Sequence, residues 1–184
     1  MNVEFGSDDT EVLVFSSFGA KVTVWSLWTG RSVEIKDPKF ATKGYGRSKP
    51  GRSGIFALLA RPGPVDVVTL HAPGSYAVLK SFVLPTTDAR GLMWSPNGKW
   101  LALWDMPNTG YKVLIYTADG NLYRTYSGDY YDEGLAGLGV KSIEWSPNGD
   151  FLAIGGYENT VTLLTTKTVS TVKTQNHASV MLPS

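Results

Sequence analysis

The side chains in this chain that could do chemistry are few and scattered. Of two histidines among 184 residues, His71 ends an apolar run, Val65-Asp66-Val67-Val68-Thr69-Leu70, and His177 lies in a polar C-terminal stretch. A histidine base needs a nucleophile within hydrogen-bond reach and a third group to orient it. A Ser-His-Asp site would have to use His71, which sits at a strand end, and no Gly-x-Ser-x-Gly elbow accompanies it. His71 is therefore read as a core or rim residue. No histidine pair has metal-ligand spacing, and the carboxylates at Asp8-Asp9 and from Asp129 to Glu133 follow no calcium-loop pattern. Cysteine is absent, which removes disulfides, thiolate zinc sites and cysteine nucleophiles together. The expectation is a chain without catalytic residues, metal or cofactor.

Two irregular stretches could bind rather than react. Lys43-Gly44-Tyr45-Gly46-Arg47-Ser48-Lys49-Pro50-Gly51-Arg52-Ser53-Gly54 sets basic residues among glycines, a composition suited to an anion. No Gly-Lys-Ser/Thr closes it, so it reads as a solvated loop between strands. Ser127 to Gly139 is glycine-rich with an acidic, aromatic centre, Tyr130-Tyr131-Asp132-Glu133. Tyrosine supplies contact area at low entropic cost, which makes Tyr130, Tyr131, Asp132 and Glu133 the candidate partner-binding residues.

The elements that must position these stretches announce themselves by repetition. Trp94-Ser95-Pro96-Asn97-Gly98-Lys99-Trp100-Leu101-Ala102 returns as Trp145-Ser146-Pro147-Asn148-Gly149-Asp150-Phe151-Leu152-Ala153. Phe5 to Val14 overlays Met93 to Ala102 more faintly, with Ser7 on Ser95 and Leu13 on Leu101. A self-match at a period of about 40–50 residues, built of short strands, points to a β-propeller. After the turn at Ser95 to Gly98, where Asn-Gly suits a tight hairpin, runs at Trp100 to Trp104, Lys112 to Thr117 and Asn121 to Tyr126 complete a four-strand blade. The fourth unit repeats it at Lys141 to Trp145, Phe151 to Gly155, Val161 to Thr165 and Ser170 to Thr174.

The fold class expected is therefore all-β, a propeller of about four blades of four antiparallel strands in an incomplete ring. The units fall near 1–35, 43–84, 89–126 and 139–174, within a partial propeller of 1–175 and a polar tail at 176–184. The only Trp-Asp dipeptide, Trp104-Asp105, ends a second strand. The positions that should close the third strands are Trp25-Ser26, Leu70-His71, Tyr116-Thr117 and Leu164-Thr165.

The formal net charge of +1 offers no electrostatic footprint for nucleic acid or an anionic membrane. No apolar run approaches the roughly 18–20 residues of a membrane helix, and the first residues lack a secretory pattern. A soluble, intracellular protein with protein partners is the expectation.

Gly91 to Tyr126, with Leu-Ala-Leu-Trp-Asp and Tyr-Lys-Val-Leu-Ile-Tyr after the turn, closely resembles the WD-repeat protein eight family. So do Gly139 to Tyr157, Thr23-Val24-Trp25-Ser26-Leu27 and Ile35-Lys36-Asp37-Pro38-Lys39, so that the similarity covers nearly the whole chain. The resemblance implies a WD-repeat scaffold without catalysis at the centrosome or spindle pole body. Its implied partners are a coiled-coil anchoring protein and a minus-end-directed kinesin, which together hold microtubule minus ends in mitosis. The family is longer, and this chain resembles an internal or truncated piece of about four blades. Two other readings stand beside it: a WD-type adaptor in ubiquitin or RNA assembly, and a ligand-binding or enzymatic propeller.

Overall fold

The computed structural model describes residues 1–6, 9–16, 20–40, 43–50, 54–86, 88–105, 111–128, 140–156, 160–166 and 173–176. They form four antiparallel sheets of four strands, each taking its strands in chain order. The first holds β1 (Asn2–Phe5), β2 (Glu11–Ser16), β3 (Lys21–Ser26) and β4 (Ser32–Ile35). The second holds β5 (Gly46–Ser48), β6 (Phe56–Ala60), β7 (Val67–His71) and β8 (Val78–Val83). The third holds β9 (Ala89–Trp94), β10 (Trp100–Asp105), β11 (Tyr111–Thr117) and β12 (Leu122–Gly128). The fourth holds β13 (Val140–Trp145), β14 (Phe151–Gly156), β15 (Thr160–Thr165) and β16 (Lys173–Asn176). Among the described residues the only helical element is a three-residue 3-10 turn, Lys43–Tyr45. The sheets stay open and stack as the blades of an incomplete propeller.

Side-chain alternation explains the stacking, since successive residues of a strand face opposite sides. In β10, Leu101 and Leu103 meet Ala57, Leu59 and Val68 of the second blade, while Ala102 faces Ile143, Leu152 and Ile154 of the fourth. In β6, Phe56 and Leu58 meet Leu13, Phe15, Val22 and Ile35 of the first blade, and Ala57 and Leu59 turn to the third. Three apolar seams thus order the blades. A strand buried on both faces reads as a continuous apolar run, as in Phe56-Ala57-Leu58-Leu59-Ala60. Each large aliphatic side chain so buried contributes about 1.5–3 kcal/mol.

Hydrogen bonds across the first turn of each blade fix which residues correspond. The N–H of Ser95 bonds the carbonyl of Trp100, as Ser146 bonds Phe151, Gly6 bonds Glu11 and Lys49 bonds Ile55. Gly6 rather than Ser7 therefore occupies the place of Ser95, and Val12 rather than Leu13 that of Leu101. The sequence overlay is one residue out, and one residue moves a side chain to the opposite face. Trp25 pairs with Val12, His71 with Phe56, Tyr116 with Leu101 and Leu164 with Leu152. His71-Ala72, not Leu70-His71, is accordingly in register with Tyr116-Thr117. The overlay fails because both faces of these strands are apolar, so either register satisfies the pattern.

The stretch from Lys43 to Gly54 is not simply a solvated loop. It contains the 3-10 turn and β5, and Gly46 is buried so tightly that an added Cβ would lie 2.6 Å from the Phe56 ring. Glycine there lets a short strand approach the first seam. Ser127 and Gly128, expected to open a loop, end β12. The expected last strand at Ser170 to Thr174 is found at Lys173–Asn176.

The repeated turn behaves as a joint between blades. Gly98 and Gly149 carry the left-handed φ of 65° and 73°. Asn97 uses its side chain instead: Oδ1 accepts the Ser95 hydroxyl and the Lys99 amide, and Nδ2 donates to the Asn148 carbonyl of the next turn at 2.9 Å. Both buried tryptophans reach back one blade, Trp94 Nε1 to the Arg47 carbonyl at 3.1 Å and Trp145 Nε1 to the Met93 carbonyl at 3.3 Å.

Candidate interaction surface

The fourth strand of a blade closes its seam at the outer rim. In the third blade, Arg124 pairs with Ile115 and Tyr126 with Val113, which turns both toward the fourth blade. The Tyr126 hydroxyl donates to the Thr165 carbonyl at 2.7 Å, Tyr123 stacks on Trp100 at 4.5 Å, and the Arg124 guanidinium lies over both tyrosine rings. In the second blade the same places belong to Lys80, opposite Leu70, and Phe82, opposite Val68. Phe82 stacks on Tyr116 at 4.7 Å and covers Gly120, while Lys80 Nζ donates to the Asp119 carbonyl at 2.6 Å. Both seams are closed by an aromatic ring; Lys80 also reaches across its seam, whereas Arg124 stays on the tyrosines of its own strand.

The first seam is different. The matching places in β4 hold Val33, opposite Val24, and Ile35, opposite Val22. Neither supplies a charge or a ring; the ring at this seam is Tyr76 of the second blade, packed edge-on to Phe56, and a groove of ≈ 380 Å³ lies beside it. Ile35, Lys36 and Asp37 line it from the first blade, and Thr69, His71 and Val78 from the second. That volume lies in the range of ligand clefts.

His71 forms part of this lining, and its chemistry is already committed. Its Nδ1–H donates to the Tyr76 carbonyl at 2.8 Å, and Nε2 accepts the Thr69 hydroxyl at 2.8 Å. Burial pushes its pKa below the ordinary 6.5 against the upward pull of the Tyr76 carbonyl. A neutral imidazole with both nitrogens occupied packs and orients; it does not activate a nucleophile. Tyr76 in turn donates its hydroxyl to Glu11. The groove is also lined by Glu34, whose carboxyl is held below its usual range by the hydrogen bond from Lys21. Lys21 answers Glu34 at 2.8 Å and Lys36 lies beside Asp37, so these charges balance.

A second polar cluster ties the second and third blades. The side chain of Asp66 is fully buried and that of Lys39 is 1% exposed, with Nζ to Oδ2 at 2.8 Å. Lys39 also donates to Asp88 at 3.1 Å and to the Ala89 carbonyl at 2.7 Å. Asp66 accepts from Arg61 Nε at 2.7 Å and from the Ala89 amide at 2.8 Å. Burial drives the Asp66 pKa upward, but the donors Arg61, Lys39 and the Ala89 amide outweigh it and hold the carboxyl below 3.8. This cluster is a structural clamp. Among the described residues, no group of three or more His, Cys, Asp or Glu is placed to hold a metal ion.

Tyr130, Tyr131, Asp132 and Glu133, the residues singled out from sequence, fall between β12 and β13 and lie outside the described residues, as does His177. The sequence reading did not pick out Lys39, Asp66 or the first-seam groove. The groove's lining comes from residues 34–37 and 60–78, so no single run of sequence signals it.

No protein-family model matches the chain. It is 38% identical over 157 residues to the mouse WD repeat-containing protein WRAP73, covering 85% of this chain and 32% of that protein. It is 32% identical over 174 residues to an uncharacterized WD repeat-containing protein of Schizosaccharomyces pombe, covering 93% of this chain and 35% of that one. The chain thus spans about a third of the length of these curated relatives. Among solved structures it is similar to hydrazine synthase of Kuenenia stuttgartiensis, with a TM-score of 0.60 over 89% of this chain and 51% of that one. At 18% identity that likeness is one of fold alone.

Proposed function

This chain belongs to the WD-repeat proteins, and from that premise we propose that it is a non-catalytic interaction scaffold of the centrosome or spindle pole body. In this reading it binds a coiled-coil anchoring protein and, with a minus-end-directed kinesin, helps hold microtubule minus ends in mitosis. The observation that carries the scaffold reading is how the polar groups at the seams are spent. His71, Tyr126, Trp94 and the Asp66 cluster all hold blades or turns in place, while a groove lies between the first two blades. Blades whose polar groups are spent on structure, with a groove at one seam, suit docking rather than turnover.

Fluorescent tagging of the gene product through mitosis tests the location, with foci at the spindle poles expected. A uniform cytosolic signal at every mitotic stage would refute it. Affinity purification with mass spectrometry tests the partner, and recovery of ubiquitin or RNA assemblies without a coiled-coil spindle-pole protein would favour the generic adaptor instead.

A further inference from the structure

We propose that a second copy of this chain docks on the open blades, the outer face of its first blade against the outer face of the fourth, so that two copies of four blades close one ring of eight. The inference goes beyond the scaffold reading and stands on other residues. An internal blade turns one face back to the blade before it and the other forward to the blade after it. On the face turned back, Val12 and Val14 of β2 hold the places of Leu101 and Leu103, Phe5 that of Trp94 and Trp25 that of Tyr116. In the third blade all four are buried in the seam with the second. In the first blade the same face is open, leaving Phe5 61% and Trp25 44% exposed. A sheet face made for water alternates polar side chains outward. Here the parity is reversed: Val3 and Phe5 face outward with Val14 and Val12, while Glu4 between them turns inward to Arg47 of the second blade.

The fourth blade carries the matching half of a seam. Ala57, Ala102 and Ala153 hold the same place in successive blades, each on the face turned forward. Ala57 shares a cluster with Leu101, and Ala102 shares one with Leu152, so the small residue of one blade receives a large aliphatic side chain from the next. Around Ala153, Leu163 stands where buried Ile115 does and Phe151 where Trp100 does, yet they are 37% and 41% exposed. Asn97 donates to the carbonyl of Asn148 in the next turn, whereas Asn148 turns to Asp150 of its own. The face that completes such a half is the one formed by Val12, Val14, Phe5 and Trp25. Phe5 lacks the N–H by which Trp94 and Trp145 reach back one blade, so the new seam is apolar where the internal ones carry a hydrogen bond. A contact between unlike faces runs head to tail and either closes or polymerises. Eight blades lie within the range over which propellers close.

Sedimentation equilibrium of the 184-residue protein over a concentration series should show monomer and dimer in exchange. Trp25→Glu on one face and Leu163→Glu on the other, both at exposed positions, should each raise the dimer dissociation constant by about tenfold or more. A mixture of the two keeps one intact first blade and one intact fourth blade, and it should form a one-to-one dimer tighter than either variant makes alone. Phe5→Glu stands in on the first face should Trp25→Glu not fold. A wild-type monomer at every concentration overturns the proposal, the two faces then being bare or covered from within the chain. Dimers that survive Leu163→Glu reveal like-to-like pairing of first blades and overturn it as well. So do open polymers of the wild type, or a mixture no tighter than its components. Spindle-pole localisation is read in cells and depends on none of these results, so the two readings fall separately.

Discussion

Replacing Asp66 by asparagine keeps the shape of the clamp between blades two and three and removes its central charge. The amide oxygen can keep one set of donors, but its NH2 then faces the other, either Arg61 Nε or the pair of Lys39 Nζ and the Ala89 amide. Lys39 remains with a side chain 1% exposed, its charge answered by Asp88, which is 37% exposed. Removing one partner of a buried ion pair costs about 3–5 kcal/mol. The surviving Asp88 contact and the freedom of Arg61, 35% exposed, to turn to water place Asp66→Asn at the lower end, about 3 kcal/mol. Asp88→Asn leaves Lys39 bonded to Asp66 and should cost about 0.2–1 kcal/mol. The double variant Lys39→Met with Asp66→Leu removes both buried charges and should recover most of the loss. Urea unfolding at constant slope reads all three through the midpoint. The folded pKa of Asp66 is below its unfolded value, so its contribution is complete above about 3.8 and is lost as pH falls through the folded value. Equal costs for Asp66→Asn and Asp88→Asn would refute the assignment of the buried charge to Asp66.

Gly98→Val meets a left-handed φ of 65° and places Cβ 3.0 Å from Lys49 Cε and 3.2 Å from the Pro50 carbonyl, so a loss of about 1 kcal/mol or more is expected. An unchanged melting temperature would refute the turn assignment. His71→Leu, the residue that Leu164 provides in the fourth blade, removes a histidine held neutral by burial. The depressed folded pKa means that the wild type keeps this contribution above about 6.5 and loses it as pH falls toward the folded value. Urea midpoints at pH 7 and pH 5 should therefore converge in the variant, and the same pH slope in both proteins would contradict the burial argument. Trp25 holds the place of buried Tyr116 but is 44% exposed on the open face of blade one, beside exposed Phe5. Sedimentation should show the chain self-associating and Trp25→Glu relieving it; a compact monomer of the wild type at high concentration would rule this out.

Blade number and strand number were legible because the Ser-Pro-Asn-Gly turn is copied nearly letter for letter, and turns carry their own φ requirement at Gly98 and Gly149. Register was not legible where Leu101-Ala102-Leu103 and Phe56-Ala57-Leu58-Leu59 are apolar on both faces, because no solvent-facing residue marks the parity. β5 escaped notice because Gly46-Arg47-Ser48 has no strand propensity and owes its form to the ladder with β6. The clamp escaped because Lys39 meets partners 27, 49 and 50 residues away. The groove escaped because its lining joins Glu34 to Asp37 with Thr69, His71 and Val78, which only the folded blades bring together.

The seams divide their stability unequally between interior and rim. The seams are held from within by side chains such as Leu13, Phe15, Phe56 and Leu58, each contributing about 1.5–3 kcal/mol. A rim tie such as the Tyr126 hydroxyl bond contributes about 0.5–1.5 kcal/mol. Val33-Glu34-Ile35 therefore can stand where blade two has Lys80-Ser81-Phe82 without threatening the fold, because Ile35 and Tyr76 bury their side chains in the first seam. Ile35, 4% exposed among Leu13, Phe15, Phe56 and Tyr76, belongs to that interior, so Ile35→Tyr should overpack the seam and cost about 1–3 kcal/mol by urea unfolding. An unchanged urea midpoint in Ile35→Tyr would refute the placement of that side chain in the seam.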